Sequence, residues 1–299
     1  MVDNLTIVLD AHVPEIATFA RETFLYRGLR FVPTFSRELD GVKQFDAYIN
    51  NLLVRIKPYK NEYLIQNSLH KYYHGSNSGD YTLSQVEETL EQLSEILGER
   101  VREGRIRKLE AGLNITLDDA DAPCLSLERL RSNTFQPMQQ RGKVYGAKCY
   151  FSQYAVKGYN KTKEVKLHNK TTLNNNVFRW EVSYTHMASL HNLKVPVPVE
   201  KAGDLVNLEK VQYLFNDVLT KYRDTQKRVV PSVAGLELPT LTALARMQDP
   251  TIREAVKAGN RHTYLNDRRK YLRLMEAAAG TTDKVYEQLQ QKAALLLNS

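Results

Sequence analysis

Three stretches of this chain alternate polar and apolar residues, and a period of two fits a strand and not a helix. In residues 108–115, Leu109, Ala111, Leu113 and Ile115 fall on one side, and Lys108, Glu110, Gly112 and Asn114 on the other. In residues 177–184, Phe178, Trp180, Val182 and Tyr184 oppose Arg179, Glu181 and Ser183. In residues 154–159, Ala155, Lys157 and Tyr159 share a side. This patterning predicts a sheet with one face on a core and the other polar. The polar face would gather two carboxylates, an arginine, a lysine and a tyrosine. The pattern alone does not set which strands are neighbours, and it equally describes an ordinary antiparallel sheet with a wet side.

The flanking sequence supplies further elements. Residues 4–9 and 52–57 alternate as strands, and 63–73 reads as another strand ending in the turn 74–80. A helix is expected over 84–98, where Ser84 and Glu87 form a capping-box pattern and Val86, Leu90, Leu93 and Leu97 recur at helical spacing. Beyond residue 200 the pattern turns helical. Leu208, Val211, Leu214, Val218 and Tyr222 line one helix face capped near Asn207, and loops follow at Pro231 and Pro239. Short helices are expected over 241–247 and 251–258, broken at Pro250, then a basic segment over 260–274 and a last helix over 282–297. The expected class is α+β: a central, mostly antiparallel sheet packed on helices. Residues 1–200 would form the α+β core and 201–299 a helical C-terminal region.

Charge is unevenly spread. The 299 residues hold 42 Lys and Arg against 34 Asp and Glu. Residues 141–170 contain eight cations (Arg141, Lys143, Lys148, Lys157, Lys161, Lys163, Lys166 and Lys170) against the single acid Glu164. Tyr145, Tyr150, Phe151, Tyr154 and Tyr159 are interleaved with them. Cations for phosphates with rings for bases suit a nucleic-acid surface; the plainer reading is a solvated basic sheet face. No apolar run approaches the ~18–20 residues of a membrane span. Asp3 stands where a signal peptide carries positive charge. Cys124 and Cys149 form neither a disulfide framework nor a zinc spacing, so a reducing cytoplasmic setting is expected. The motifs GxxxxGK[ST], GxGxxG, GxSxG and CxxC do not occur. His70 and His74 have the i, i+4 spacing of a helical zinc pair, but Lys71 stands where a zincin needs Glu. On a strand, both could reach a phosphate or a hard metal, or serve a structural role.

The sharpest feature is Tyr159-Asn160-Lys161-Thr162-Lys163-Glu164. A phenol with a free pKa of about 10 is a poor nucleophile, and neighbouring ammonium groups would lower that value and hold a phosphodiester against it. This block, followed by Phe178-Arg179-Trp180-Glu181-Val182 and preceded by Leu109-Glu110-Ala111-Gly112-Leu113-Asn114-Ile115, resembles the active-site blocks of rolling-circle replication initiators. That family includes the gene II proteins of filamentous phages and the initiators of small Gram-positive plasmids. Met1-Val2-Asp3-Asn4-Leu5 and Ser68-Leu69-His70-Lys71-Tyr72 with Gly75 also resemble phage members. The His-hydrophobic-His metal motif of the wider superfamily is missing.

The resemblance implies a ferredoxin-like catalytic core and metal-dependent nicking at an origin. Tyr159 would be the nucleophile, assisted by Lys161. Glu110 and Glu181, with Asn114, would hold Mg²⁺ or Mn²⁺. Lys157, Lys163, Lys166, Arg179, His70 and Lys71 would contact DNA. The partners implied are single-stranded or supercoiled origin DNA, a host helicase and a host polymerase, in a bacterial cytoplasm and not on a membrane. The alternative is a nucleic-acid-binding protein that uses the same basic, aromatic face without chemistry.

Overall fold

A computed structural model describes residues 2–10, 14–15, 17, 22–35, 43–169, 173–193, 196–228, 233 and 235–298. Met1, Lys170 and Pro231, which figure in the sequence reading, lie outside the described residues. The class is the expected one: a large antiparallel sheet packed on helices.

The three alternating segments are strands: β7 (Arg105–Thr116), β12 (Tyr154–Asn160) and β13 (Val177–Tyr184). They are consecutive in the sheet. With β1 (Val2–Asp10), β2 (Phe24–Tyr26), β3 (Leu29–Phe35), β4 (Lys43–Ile49), β5 (Leu52–Lys57), β6 (Glu62–Ser68), β10 (Gln136–Gln140) and β11 (Lys143–Tyr150), the order is β10-β11-β12-β13-β7-β1-β6-β5-β4-β3-β2. A small second sheet joins β8 (Leu127–Leu130), β9 (Asn133–Thr134) and β14 (Thr225–Lys227). Both β6 and β7 run antiparallel to β1 and flank it, so β6 and β7 are parallel to each other. Two helices connect them, making a split β-α-β unit.

Those helices correct two sequence boundaries. The segment 63–73 is not one strand: β6 stops at Ser68, after Asn67 takes φ 98°. The Ser68 hydroxyl then caps α1 (Leu69–His74) by accepting the Lys71 N–H at 3.0 Å. Helix α2 (Leu83–Leu97) is capped by Thr82 and Gln85, not Ser84 and Glu87. The two patterns overlap, and the Thr82 N–H donates to Gln85 Oε1 at 3.0 Å. Leu83 thereby enters the helix.

One sheet face carries the core. Phe178, Trp180, Val182 and Tyr184 of β13 and Leu109, Ala111 and Leu113 of β7 are buried. The remaining helices are α3 (Asp121–Ser126), α4 (Lys161–Asn169), α5 (Ala188–His191), α6 (Leu208–Arg223), α7 (Leu238–Gln248), α8 (Pro250–Gly259) and α9 (Arg261–Leu297); the core face packs chiefly against α6 and the C-terminal turns of α9, while α7 and α8 rest on α9. Helix α6 starts at the expected cap, where Asn207 Oδ1 accepts the Lys210 N–H. The Trp180 indole donates to the Val218 carbonyl at 3.0 Å, and the Tyr184 hydroxyl to Asp217 at 2.6 Å. Val285, Leu289, Ala293 and Leu296 of α9 belong to the same core. The basic segment and the last helix are therefore one element of 37 residues. Pro250 is not a gap residue; it is the first residue of α8, where its missing N–H costs nothing. Among the described residues no helix is long and apolar enough to cross a membrane.

Two bulges aim side chains at the other face. Val2 pairs with Ala111 and Leu5 with Leu109, so three steps on β1 match two on β7. Val2 and Leu5 therefore both enter the core, and Asp3 turns to the polar face. In β10 and β11, Met138 pairs with Gly146 but Gln139 with Val144. The extra residue, Tyr145, sets its ring edge-on to Tyr159 with centroids 6.4 Å apart.

Gly146 lies opposite Tyr159, and a Cβ there would stand 2.3 Å from Tyr159 Cβ and 2.7 Å from the Gly158 carbonyl oxygen. Gly146→Ala is expected to lower stability by about 1–3 kcal/mol in urea unfolding, the usual cost of overpacking. Parent-like stability would mean that β11 yields at this point.

Candidate active site

Strand register sets the sequence-selected side chains next to one another. Across β12 and β13, Lys157 lies opposite Glu181 and Tyr159 opposite Arg179. On the other flank of β13, Arg179 pairs with Asn114, Glu181 with Gly112 and Ser183 with Glu110. The strand end passes straight into α4, which begins at Lys161. Glu110, Lys157, Tyr159, Lys161, Glu164 and Glu181 line a cavity of about 390 Å³, together with Asp3, Ser68, Lys71 and Asn77.

The groups at the centre of this face are paired with one another. Arg179 has no solvent exposure. Its Nε donates to Glu181 Oε2 at 2.7 Å and its Nη2 to Asp3 Oδ2 at 2.7 Å. Asp3 also accepts from the Ser68 hydroxyl and from Asn77 Nδ2. Lys157 Nζ donates to Glu181 Oε1 at 2.5 Å and to Glu110 Oε1 at 2.9 Å, while the Ser183 hydroxyl donates to Glu110. The Tyr159 hydroxyl donates to Glu181 Oε2 at 3.3 Å. Lys161 pairs with Glu164 at 2.8 Å and lies 5.9 Å from the Tyr159 ring centroid.

Burial and pairing compete at each carboxylate. Burial works against ionisation of Glu181, but Lys157 and Arg179 outweigh it and hold the carboxyl at about 2. Burial likewise opposes Asp3, and Arg179 brings it below the usual range. At Glu110, burial and the neighbouring Glu181 push the carboxyl up. Burial, with Arg179 nearby, pulls Lys161 down.

Tyr159 departs from the sequence expectation. Burial first and Glu181 second push its phenol well above the ordinary value; the neighbouring ammonium groups do not lower it. The reason is that those cations are committed elsewhere: Lys157 to two glutamates, Lys161 to Glu164, and Lys163 to Asp121 at 2.5 Å. The phenol is thus stored neutral, and its proton already points at a carboxylate.

The remaining site residues separate into those on the cavity and those away from it. Arg179 is too deep to touch DNA as it stands, and serves to anchor Glu181. Asn114 is on the face, but its amide nitrogen donates to the Ser78 carbonyl at 3.1 Å and its oxygen faces Arg179 Nη1 at 3.4 Å. Lys71 is exposed at the cavity rim, and Lys163 and Lys166 are exposed on α4. His70 is not a phosphate contact. It is fully buried on α1, its ring stacked on Tyr81 with centroids 5.0 Å apart, and neither ring nitrogen has a hydrogen-bond partner among the described residues. Tyr154 faces the helices, beside Phe151 and Lys221. Tyr150 is a different case. Parity counted from Tyr154 would turn it away from Tyr159, but the chain reverses between the strands. Tyr150 pairs with Ala155 and so shares the face of Tyr159, four residues along β12.

Asp3, Ser68 and Asn77 are the residues that sequence reasoning left without a site role. Ser68 lies in a block that resembles phage initiators, which was a usable signal. Asp3 lies in the other such block, but only the bulge in β1 turns it inward. The two carboxylates Glu110 and Glu181 already share one cation, Lys157, and their hard oxygen donors suit Mg²⁺ or Mn²⁺. Asn114 does not complete that set, and among the described residues no group of three or more His, Cys, Asp or Glu side chains is placed to hold a metal. Neither a protein-family model nor a curated protein matches the chain.

Removing Arg179 leaves Asp3 and Glu181 buried without their shared partner. Arg179→Met is expected to cost about 3–5 kcal/mol in urea unfolding. A loss under about 1 kcal/mol would mean that water relieves the cluster. A second expectation concerns acid. Burial pushes His70 down to about 3, whereas the unfolded chain protonates it near 6.5. The unfolded state therefore binds more protons between those values, and stability drains as the pH falls through that window. His70→Phe should flatten the decline of melting temperature between about pH 6.5 and 4. An unchanged slope would assign acid sensitivity to the carboxylates alone.

Proposed function

We propose that this chain is a rolling-circle replication initiator that nicks and transfers a DNA strand through Tyr159. The observation that carries the reading is the convergence of Tyr159, Glu181, Lys157 and Glu110 on one cavity by antiparallel register, with Arg179 buried behind them. Three separate segments of the sequence supply these residues. The resemblance of the same segments to initiator blocks supports it further.

In this reading the Tyr159 oxygen attacks the scissile phosphorus. A tyrosyl–phosphorus bond forms as the bond from phosphorus to the 3′ oxygen breaks, leaving a 5′-phosphotyrosine and a free 3′-hydroxyl. The phenolic proton passes to water and the departing 3′ oxygen takes one up from water, while Glu181 accepts the phenol's hydrogen bond and holds the oxygen in place. Arg179 holds that carboxylate in place. Lys157 and Lys161 stand beside the developing phosphate charge. Glu110 and Glu181 are the residues that would hold Mg²⁺ or Mn²⁺, which when bound polarises the phosphoryl oxygen. The ester conserves the energy of the broken bond for later strand closure, so no nucleotide is required. The 3′-hydroxyl would prime a host polymerase behind a host helicase in the bacterial cytoplasm. On β11, Lys148 Nζ lies 4.4 Å over the exposed Tyr150 ring on the same face, a cation and a ring suited to single-stranded DNA.

The test is a covalent adduct with a single-stranded origin oligonucleotide on a denaturing gel. The parent should form it and Tyr159→Phe should not, while Tyr154→Phe behaves as the parent. Glu181→Gln should slow adduct formation by about 10²-fold, the usual cost of a misplaced reacting group. An adduct that persists in Tyr159→Phe overturns the assignment of the nucleophile. DNA binding without any adduct favours a binding protein that lacks chemistry.

A further inference from the structure

We infer that Lys157 is a displaceable occupant of the cation seat between Glu110 and Glu181, and that a divalent ion and a DNA phosphate consequently bind this chain cooperatively. The inference rests on the reading just given, of a site that takes a metal ion and a phosphodiester.

The seat is defined by geometry. One ammonium lies 2.5 Å from Glu181 and 2.9 Å from Glu110, at the point on which the two carboxylates converge. An ion bound by both must take that point. The other cations cannot act in this way. Arg179 is locked between Asp3 and Glu181, and Lys161 is held by Glu164. Among the described residues Lys157 alone joins the two carboxylates, and its unbranched four-carbon stem can swing the ammonium away without moving β12.

Charge then sets the order of events. The ion-paired cluster holds four carboxylates (Asp3, Glu110, Glu164 and Glu181) against three cations (Lys157, Lys161 and Arg179), one negative charge in excess, with the exposed Lys71 at the cavity rim. A phosphodiester entering alone would add a second negative charge to that cluster. A divalent ion entering alone would strip Lys157 of both partners and leave a half-buried ammonium unpaired, which is costly. Entering together, the ion takes the carboxylates and the phosphate takes the released ammonium. The total charge then comes to zero. Lys157 is two residues before Tyr159 on the same strand face, so the released ammonium remains beside the nucleophile. Such coupling is reciprocal: each ligand tightens the other by the same factor.

The experiment titrates the full chain with Mn²⁺, following the free ion by electron paramagnetic resonance, with and without a thymidine 20-mer. In the parent the oligonucleotide should tighten Mn²⁺ binding by about tenfold, within the usual range of coupling between sites. Lys157→Met should bind Mn²⁺ about tenfold more tightly than the parent without DNA, and the oligonucleotide should then add less than about twofold. Glu181→Gln in the parent background should weaken the ion and so identify the seat. Glu181-dependent binding that neither Lys157→Met nor the oligonucleotide alters would overturn the inference and leave the proposed function standing. Absence of Glu181-dependent binding, with adduct formation intact in EDTA, would overturn both the inference and the metal part of that function. If Lys157→Met is unfolded without metal, recovery of its circular dichroism in Mn²⁺ supports the inference, and failure to recover overturns it.

Discussion

A guanidinium sealed from water in the middle of a sheet has to be neutralised where it stands, and much of the polar face follows from that requirement. Arg179 reaches Asp3 on one side and Glu181 on the other, each at 2.7 Å. Each acid is then fixed by further donors: Ser68 and Asn77 for Asp3, Lys157 and Tyr159 for Glu181. The network ties the first strand, β1, to the end of β6, to the turn after α1 and to β13, β12 and β7. An unpaired charge at this depth would cost several kcal/mol, so these segments are held to one arrangement.

The same requirement explains why two irregularities sit where they do. A regular β1 would send Asp3 and Leu5 to the same side, and either the core or Arg179 would lose its partner. The bulge satisfies both. The bulge at Tyr145 likewise lets β11 present a ring to Tyr159 at the point where Gly146 allows close approach. Bulges placed next to a cluster of ionisable groups re-aim side chains, and here each serves one named residue.

The alternation of β7, β12 and β13 was legible because each strand has one apolar and one polar side, and that signal is local. It led to Glu110, Asn114, Lys157, Tyr159, Arg179 and Glu181 on one face without any knowledge of neighbours. Adjacency and depth were not legible. All eight positions of β13 are buried, so its polar side chains form a second interior and not a wet surface. That depth reverses the effect expected at Tyr159 and removes Arg179 from the DNA contacts. His70 was misread because Asn67 and Ser68 end a strand that hydropathy alone would continue. The inward turn of Asp3 was not legible from its block, because a bulge is a property of a pair of strands. The helical boundary errors have a simpler origin: two overlapping capping patterns, only one of which is used.

The complete burial of β13 also bears on how this molecule breathes. A strand flanked by paired neighbours on both edges and covered on both faces exposes its amides only when the whole sheet comes apart, so its hydrogen exchange reports global opening. The cavity's opposite wall is made differently. It consists of the start of β1 and the end of β6, which belong to the same ladder, and of the short turn that carries Asn77, which is joined to the centre through hydrogen bonds that involve side chains. Fluctuations that admit a large molecule to Tyr159 therefore belong to that turn, and the sheet serves as the fixed jaw against which it moves.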